Sequence, residues 1–126
     1  MLRTLIITFI IGTMLLVACS NKNEAPNAVE NYLQALVAKD SSRLLSLSCA
    51  SWEEGAIAQL DSFQAVAIDL KDLSCSQTGS EGETALVLCQ GSIMATYGAE
   101  VQDFPLNRQE FKVVKEGGDW RVCGYK

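Results

Sequence analysis

Cysteine is the residue type whose chemistry this sequence constrains most tightly. Four of the five cysteines, Cys49, Cys75, Cys89 and Cys123, lie 26, 14 and 34 positions apart. Such a set could ligate zinc, exchange electrons or close disulfides. Structural zinc sites draw their ligands in close pairs, and this chain has neither a CxxC knuckle nor any histidine. The missing CxxC also removes the simplest thiol–disulfide oxidoreductase. An even number of cysteines in an exported domain reads instead as two disulfides. No cofactor and no metal is expected, since Gly-rich phosphate loops and a GxSxG elbow are absent as well.

The fifth cysteine has different neighbours. Arg3 is the only charge before Lys22, and an uncharged apolar run follows it from Leu5 to Leu16. That run is shorter than the ~17–25 residues a membrane-crossing helix needs, but it fits the apolar region of a signal peptide. Leu16-Val17-Ala18-Cys19 then sets small residues directly before a thiol. The segment resembles the lipobox of bacterial lipoprotein signal peptides. The resemblance implies thioether lipidation of Cys19, cleavage after Ala18, and acylation of the new amino group, commonly with palmitate. Residues 1–18 would then be the signal peptide, 19–25 the lipidated cysteine and a polar tether, and 26–126 a single domain. The expected location is extracytoplasmic, with the protein lipid-anchored to the cell membrane. Ser20 is not an aspartate, so a cell with two membranes would sort it to the outer one.

Removal of residues 1–18 takes away Arg3 and moves the net charge from −5 to −6. That sign argues against nucleic-acid phosphates or an anionic lipid surface as partner. The remaining partners are the membrane through its anchor, and a protein, a peptide or a small apolar ligand. The 108 residues that are left suffice for one domain with a modest core.

The elements that must position these cysteines follow from periodicity. Pro26 suits the start of a helix. Val29, Leu33, Leu36 and Val37 form one stripe along it, with Tyr32 beside them. Asp40 can end this helix and cap a second one carrying Leu44, Leu45 and Leu47. Ser51-Trp52-Glu53-Glu54 has the pattern of a capping box for a third helix ending near Asp61. From Phe63 the period changes, and Val66, Ile68 and Leu70 alternate. A phase shift after Leu70 predicts a bulge near Lys71. Gly79 to Gly82 reads as a turn, centred on Ser80-Glu81. Thr84 to Tyr97 is a long central strand, apolar on both faces from Ala85 to Cys89. Gly98-Ala99 turns into a strand from Glu100 to Lys115, where Pro105 must mark an edge, a bulge or a break. Gly117-Gly118 is a tight hairpin, and Asp119 to Tyr125 closes the domain. The expected class is α+β, with N-terminal helices packed on a curved four-stranded antiparallel meander.

Tyr32-Leu33, Lys39-Asp40 and the closing Gly117-Gly118-Asp119-Trp120-Arg121-Val122 resemble small exported domains of the nuclear-transport-factor-2-like, cystatin-like fold. That resemblance implies a sheet curved around the first helix, often with an apolar pocket at its open end. Next-but-one strands of a meander lie about 9.6 Å apart, beyond the ~7 Å Cα reach of a disulfide. Cys75–Cys89 with Cys49–Cys123 is therefore the expected pairing. Cys49–Cys75 with Cys89–Cys123 is the alternative, because a turn at Ser80-Glu81 would leave Cys75 opposite Leu86.

Two functions compete. One is a non-catalytic binding or interaction module. The other is an isomerase- or dehydratase-type enzyme using the pocket of the same fold, which needs a general base and an oxyanion donor. With no histidine, the only candidates are Asp61, Asp69 and Tyr97, each near an element end and each explained equally by capping, solvation or packing. No catalytic residue is assigned on this basis. Trp52 and Trp120 read as packing anchors. Lys112, Lys115 and Arg121 on the last hairpin could make a small basic patch, but alternating charges on an exposed sheet face explain them as well.

Overall fold

The structure is a computed structural model that describes residues 23–126. The lipobox, Cys19 and the tether up to Lys22 lie outside the described residues. Among the described residues, no helix is long and apolar enough to cross a membrane.

Helix α1 (Glu24–Val37) opens two residues before Pro26, and Ala25 is already buried. Pro26 sits in the first turn, where its missing N–H leaves no intrahelical bond unmade. Val29, Tyr32, Leu33, Ala35 and Leu36 are fully buried, and they are the stripe on which the sheet closes. The helix ends at a Schellman turn: the Asp40 amide donates to the Ala35 carbonyl (3.0 Å) and the Lys39 amide to Leu36 (3.1 Å). Lys39 takes the left-handed residue (φ 55°), a position usually held by glycine. Its ammonium donates to the Val66 carbonyl (2.7 Å), which ties the helix end to the segment entering the sheet. Asp40 caps α2 (Ser41–Ser46) by accepting from the Arg43 amide (3.1 Å).

The expected capping box does not form. A 3₁₀ turn at Ala50–Trp52 precedes α3 (Glu53–Asp61), and Trp52 occupies the cap position without a side-chain bond. The Ser51 hydroxyl lies instead against the sulfurs of Cys49 (3.2 Å) and Cys123 (3.4 Å). A tight turn held by a cross-link aims Ser51 away from the Glu54 amide, which local pattern could not anticipate.

Five strands follow: β1 (Ala67–Glu81), β2 (Thr84–Tyr97), β3 (Glu100–Pro105), β4 (Glu110–Glu116) and β5 (Asp119–Tyr125). Their pairing is antiparallel in the order β1-β2-β4-β5, with β3 also against β2. The α+β layout of helices followed by a curved antiparallel sheet holds, with the expected strand from Glu100 to Lys115 divided into two that both pair with β2. Proline has no N–H to continue the ladder; at Pro105 the chain breaks into a 3₁₀ turn at Leu106–Arg108 before β4 resumes. The first hairpin turns at Gly82-Glu83, since Glu81 pairs with Thr84, and not at Ser80-Glu81.

Two irregularities bend β1. One, between Gln77 and Gly79, absorbs the shifted turn and sets Cys75 directly opposite Cys89. The other, between Lys71 and Ser74, is the bulge expected near Lys71. Gly91 lies opposite it with φ 95°, and a Cβ there would stand 2.3 Å from the Lys71 carbonyl oxygen. Only glycine lets the two backbones approach this closely.

The cysteines form Cys49–Cys123 and Cys75–Cys89 disulfides. The first joins the helical layer to β5. There the Val122 amide donates to Leu47 (2.8 Å) and the Cys49 amide to Val122 (2.9 Å), so the chain before α3 covers the outer edge of β5. Among the described residues, the core cluster and both disulfides fall within residues 25–123.

Candidate functional site

The break at Pro105 creates the site. On one edge β2 pairs β4 from Ala85 to Leu88 and β3 from Ser92 to Tyr97, leaving Cys89 to Gly91 between them. The connecting chain swings out around that gap. Beneath it lies a pocket of about 290 Å³, walled by Leu33 of α1, Ile93 of β2, Phe111 of β4, and Phe104 to Leu106 of the break. Gln59 and Phe63 close it from α3 and the turn after it, and Arg108 and Gln109 from the 3₁₀ turn and the residue following. Phe63 and Phe104 meet edge to face with centroids 6.0 Å apart, a favoured aromatic geometry. Phe104 keeps 38% of its surface exposed although it is a large apolar residue.

Behind this wall is a partly buried polar chain. The Trp52 indole N–H donates to the Tyr32 hydroxyl oxygen (3.1 Å), and the Tyr32 hydroxyl donates to the Gln59 amide oxygen (2.7 Å). Tyr32 is fully buried, and desolvation pushes its hydroxyl up from 10 to about 12 against the opposing hydrogen bond from Trp52. It therefore remains a neutral donor across the physiological range. Trp52 and Phe111 each pack edge to face on Tyr125, at 5.5 and 6.2 Å, and so join the chain to the sheet.

The residues weighed for acid–base chemistry are elsewhere. Asp61 is exposed at the end of α3, beside a shallow cleft that also holds Glu53 and Glu54. Asp69 is exposed on β1 opposite Met94, and Tyr97 stands 39% exposed at the end of β2. None of the three lines the pocket, whose polar side chains are two amides and a guanidinium. Trp52 and Trp120 both pack against the core cluster. Lys115 lies over the Trp120 ring (5.4 Å to the centroid), and Arg121 Nε donates to the Glu116 carbonyl (3.2 Å). Lys115 and Arg121 are thus engaged locally.

Sequence reasoning missed Gln59 and Arg108. Each is an unremarkable polar residue in its own segment, and only the fold brings them to one cavity. Tyr32 left one legible trace, an amphipathic side chain set beside a fully apolar stripe.

No protein-family model matches the chain, and no curated protein matches it. Among solved structures it is similar to a chain named Rd1NTF2_05, a variant with five point substitutions: 14% identity, TM-score 0.49, covering 82% of this chain and 96% of that one.

Proposed function

We propose that this chain is an extracytoplasmic lipoprotein, anchored through lipid on Cys19, whose domain is a non-catalytic binding module for a small ligand with an apolar body. The carrying observation is the pocket: about 290 Å³, walled by Leu33, Phe63, Ile93, Phe104 and Phe111, with polar groups only from Gln59, Arg108 and Gln109. Ligand sites have this composition, apolar walls with a few placed polar groups. Acid–base catalysis needs a titrating group within reach of substrate, and Asp61, Asp69 and Tyr97 lie off the lining. The two disulfides support an oxidising compartment, in keeping with the signal-like segment ending at Ala18-Cys19.

Titration of residues 23–126 with octan-1-ol, followed by amide chemical shifts, tests the module. Saturable shifts centred on Gln59, Phe63 and Arg108 to Phe111 are expected, with weaker binding in Phe104→Ala. Shifts that rise linearly without saturation, or that fall outside this region, would overturn it. The anchor is tested separately. Cys19→Ala should abolish metabolic labelling by a clickable fatty acid, and persistent labelling would defeat the lipobox reading.

A further inference from the structure

The direction of these partly buried hydrogen bonds has a consequence at the pocket surface. An indole N–H can only donate, so the Tyr32 oxygen accepts from Trp52. The one hydroxyl hydrogen of Tyr32 is then left for Gln59, and Gln59 must turn its amide oxygen toward it. This orients the amide by chemistry and not by convention: the Gln59 NH₂ is directed away from the core. Among the described residues that NH₂ has no protein acceptor, and no buried side-chain nitrogen or oxygen is left unsatisfied, so it is an accessible donor on a residue that lines the cavity. Arg108 reaches the same cavity, and its guanidinium makes no ion pair or hydrogen bond within the described residues. Both polar side chains therefore offer donors to an occupant, and neither has a carboxylate beside it in the lining.

We propose that the pocket takes a small organic monocarboxylate, with its carboxylate on the Gln59 amide and the Arg108 guanidinium and its apolar body against Phe63, Phe104 and Phe111. Guanidinium and amide N–H donors match the acceptor-only carboxylate. The cavity holds on the order of ten non-hydrogen atoms, at the ~30 Å³ that a water occupies in the liquid. The negative charge of the whole chain does not forbid an anion, since exposed charges beyond ~8–10 Å are screened at physiological salt. Tyr32 is a positioning residue: it touches no ligand but determines which end of Gln59 the ligand meets. This proposal rests on the binding-module reading and adds the ligand's head group to it.

Octanoate and octan-1-ol share an apolar tail and differ at the head, so their affinity ratio for residues 23–126 at neutral pH is the readout. Octanoate is expected to bind at least about tenfold tighter, as charge-assisted hydrogen bonds contribute. Arg108→Gln, an exposed change, should bring the ratio close to one. Tyr32→Phe frees Gln59 to rotate and should lower the ratio about threefold without moving octanol affinity, a change that loss of packing alone would not produce. Equal binding of the two probes by the native domain, or an Arg108→Gln ratio like that of the native domain, overturns the carboxylate proposal while the binding module stands. Failure of both probes to bind overturns both.

Discussion

The two edges of β2 are built differently. Toward β1 the ladder runs from Thr84 to Thr96, interrupted only by two bulges and cross-linked by Cys75–Cys89. Toward the other side the same strand is shared by β4 and β3, with Cys89 to Gly91 left between them. One edge is a continuous, stapled wall. The other is divided, and the division is what makes room for a pocket. A single strand can thus supply rigidity on one side and a cavity on the other, because backbone pairing along each edge is independent. A further contrast lies across the domain, where the β5 edge is closed by backbone bonds to Leu47 and Cys49 and by the second disulfide.

Removing cross-links should show the largest effect. Loss of Cys49–Cys123, which spans 74 positions, is expected to lower unfolding free energy by about 4 kcal/mol, against about 3 kcal/mol for Cys75–Cys89, which spans 14. Paired Cys→Ala variants in a denaturant titration would show this order. A reversed order would mean that the hairpin staple, and not the tie from helices to sheet, dominates stability. Next comes the continuous edge itself. Gly91→Ala drives a methyl into the Lys71 carbonyl and should cost about 3 kcal/mol. A near-neutral result would show that the bulge can relax and that the stapled wall is softer than its pairing implies.

The polar chain behind the pocket comes third. Tyr32→Phe strands Trp52 and Gln59 and should cost about 2 kcal/mol at neutral pH. The folded domain raises the Tyr32 pKa to about 12 from 10, so the neutral form is favoured by folding. The resulting stabilisation is complete below pH 10 and is lost as pH rises toward 12. Unfolding curves across that window should fall more steeply for the native protein than for Tyr32→Phe, and parallel curves would remove Tyr32 from the account. The smallest effect belongs to the divided edge. Arg108→Gln should shift stability by less than about 0.5 kcal/mol. A larger loss would mean that this turn braces the fold and does not merely line a cavity.

Much of the architecture was written locally. Thr84–Tyr97 and Asp119–Tyr125 form strands with the bounds their alternation and flanking turns predict. Asp40 caps α2, and the phase shift after Leu70 marks a true bulge. These features depend on periodicity and on side chains acting within a few residues of themselves. The first turn was displaced to Gly82-Glu83 because two glycines competed for it and strand register decided between them. Ser51 lost its capping role to a partner 72 positions away. Pro105 announced an interruption without saying which kind.

By itself, then, the sequence determined the class of elements, most of their limits, the pairing potential of four cysteines and the exceptional neighbourhood of Cys19. Only the tertiary structure decided that the strand divides at Pro105, that Tyr32 donates to Gln59, and that Gln59 and Arg108 line one cavity. The physical reason is range. Capping, turning and amphipathic patterning act over one or two turns of chain, whereas Tyr32 reaches Gln59, and Gln59 shares a cavity with Arg108, only after helices and sheet have closed on a common core.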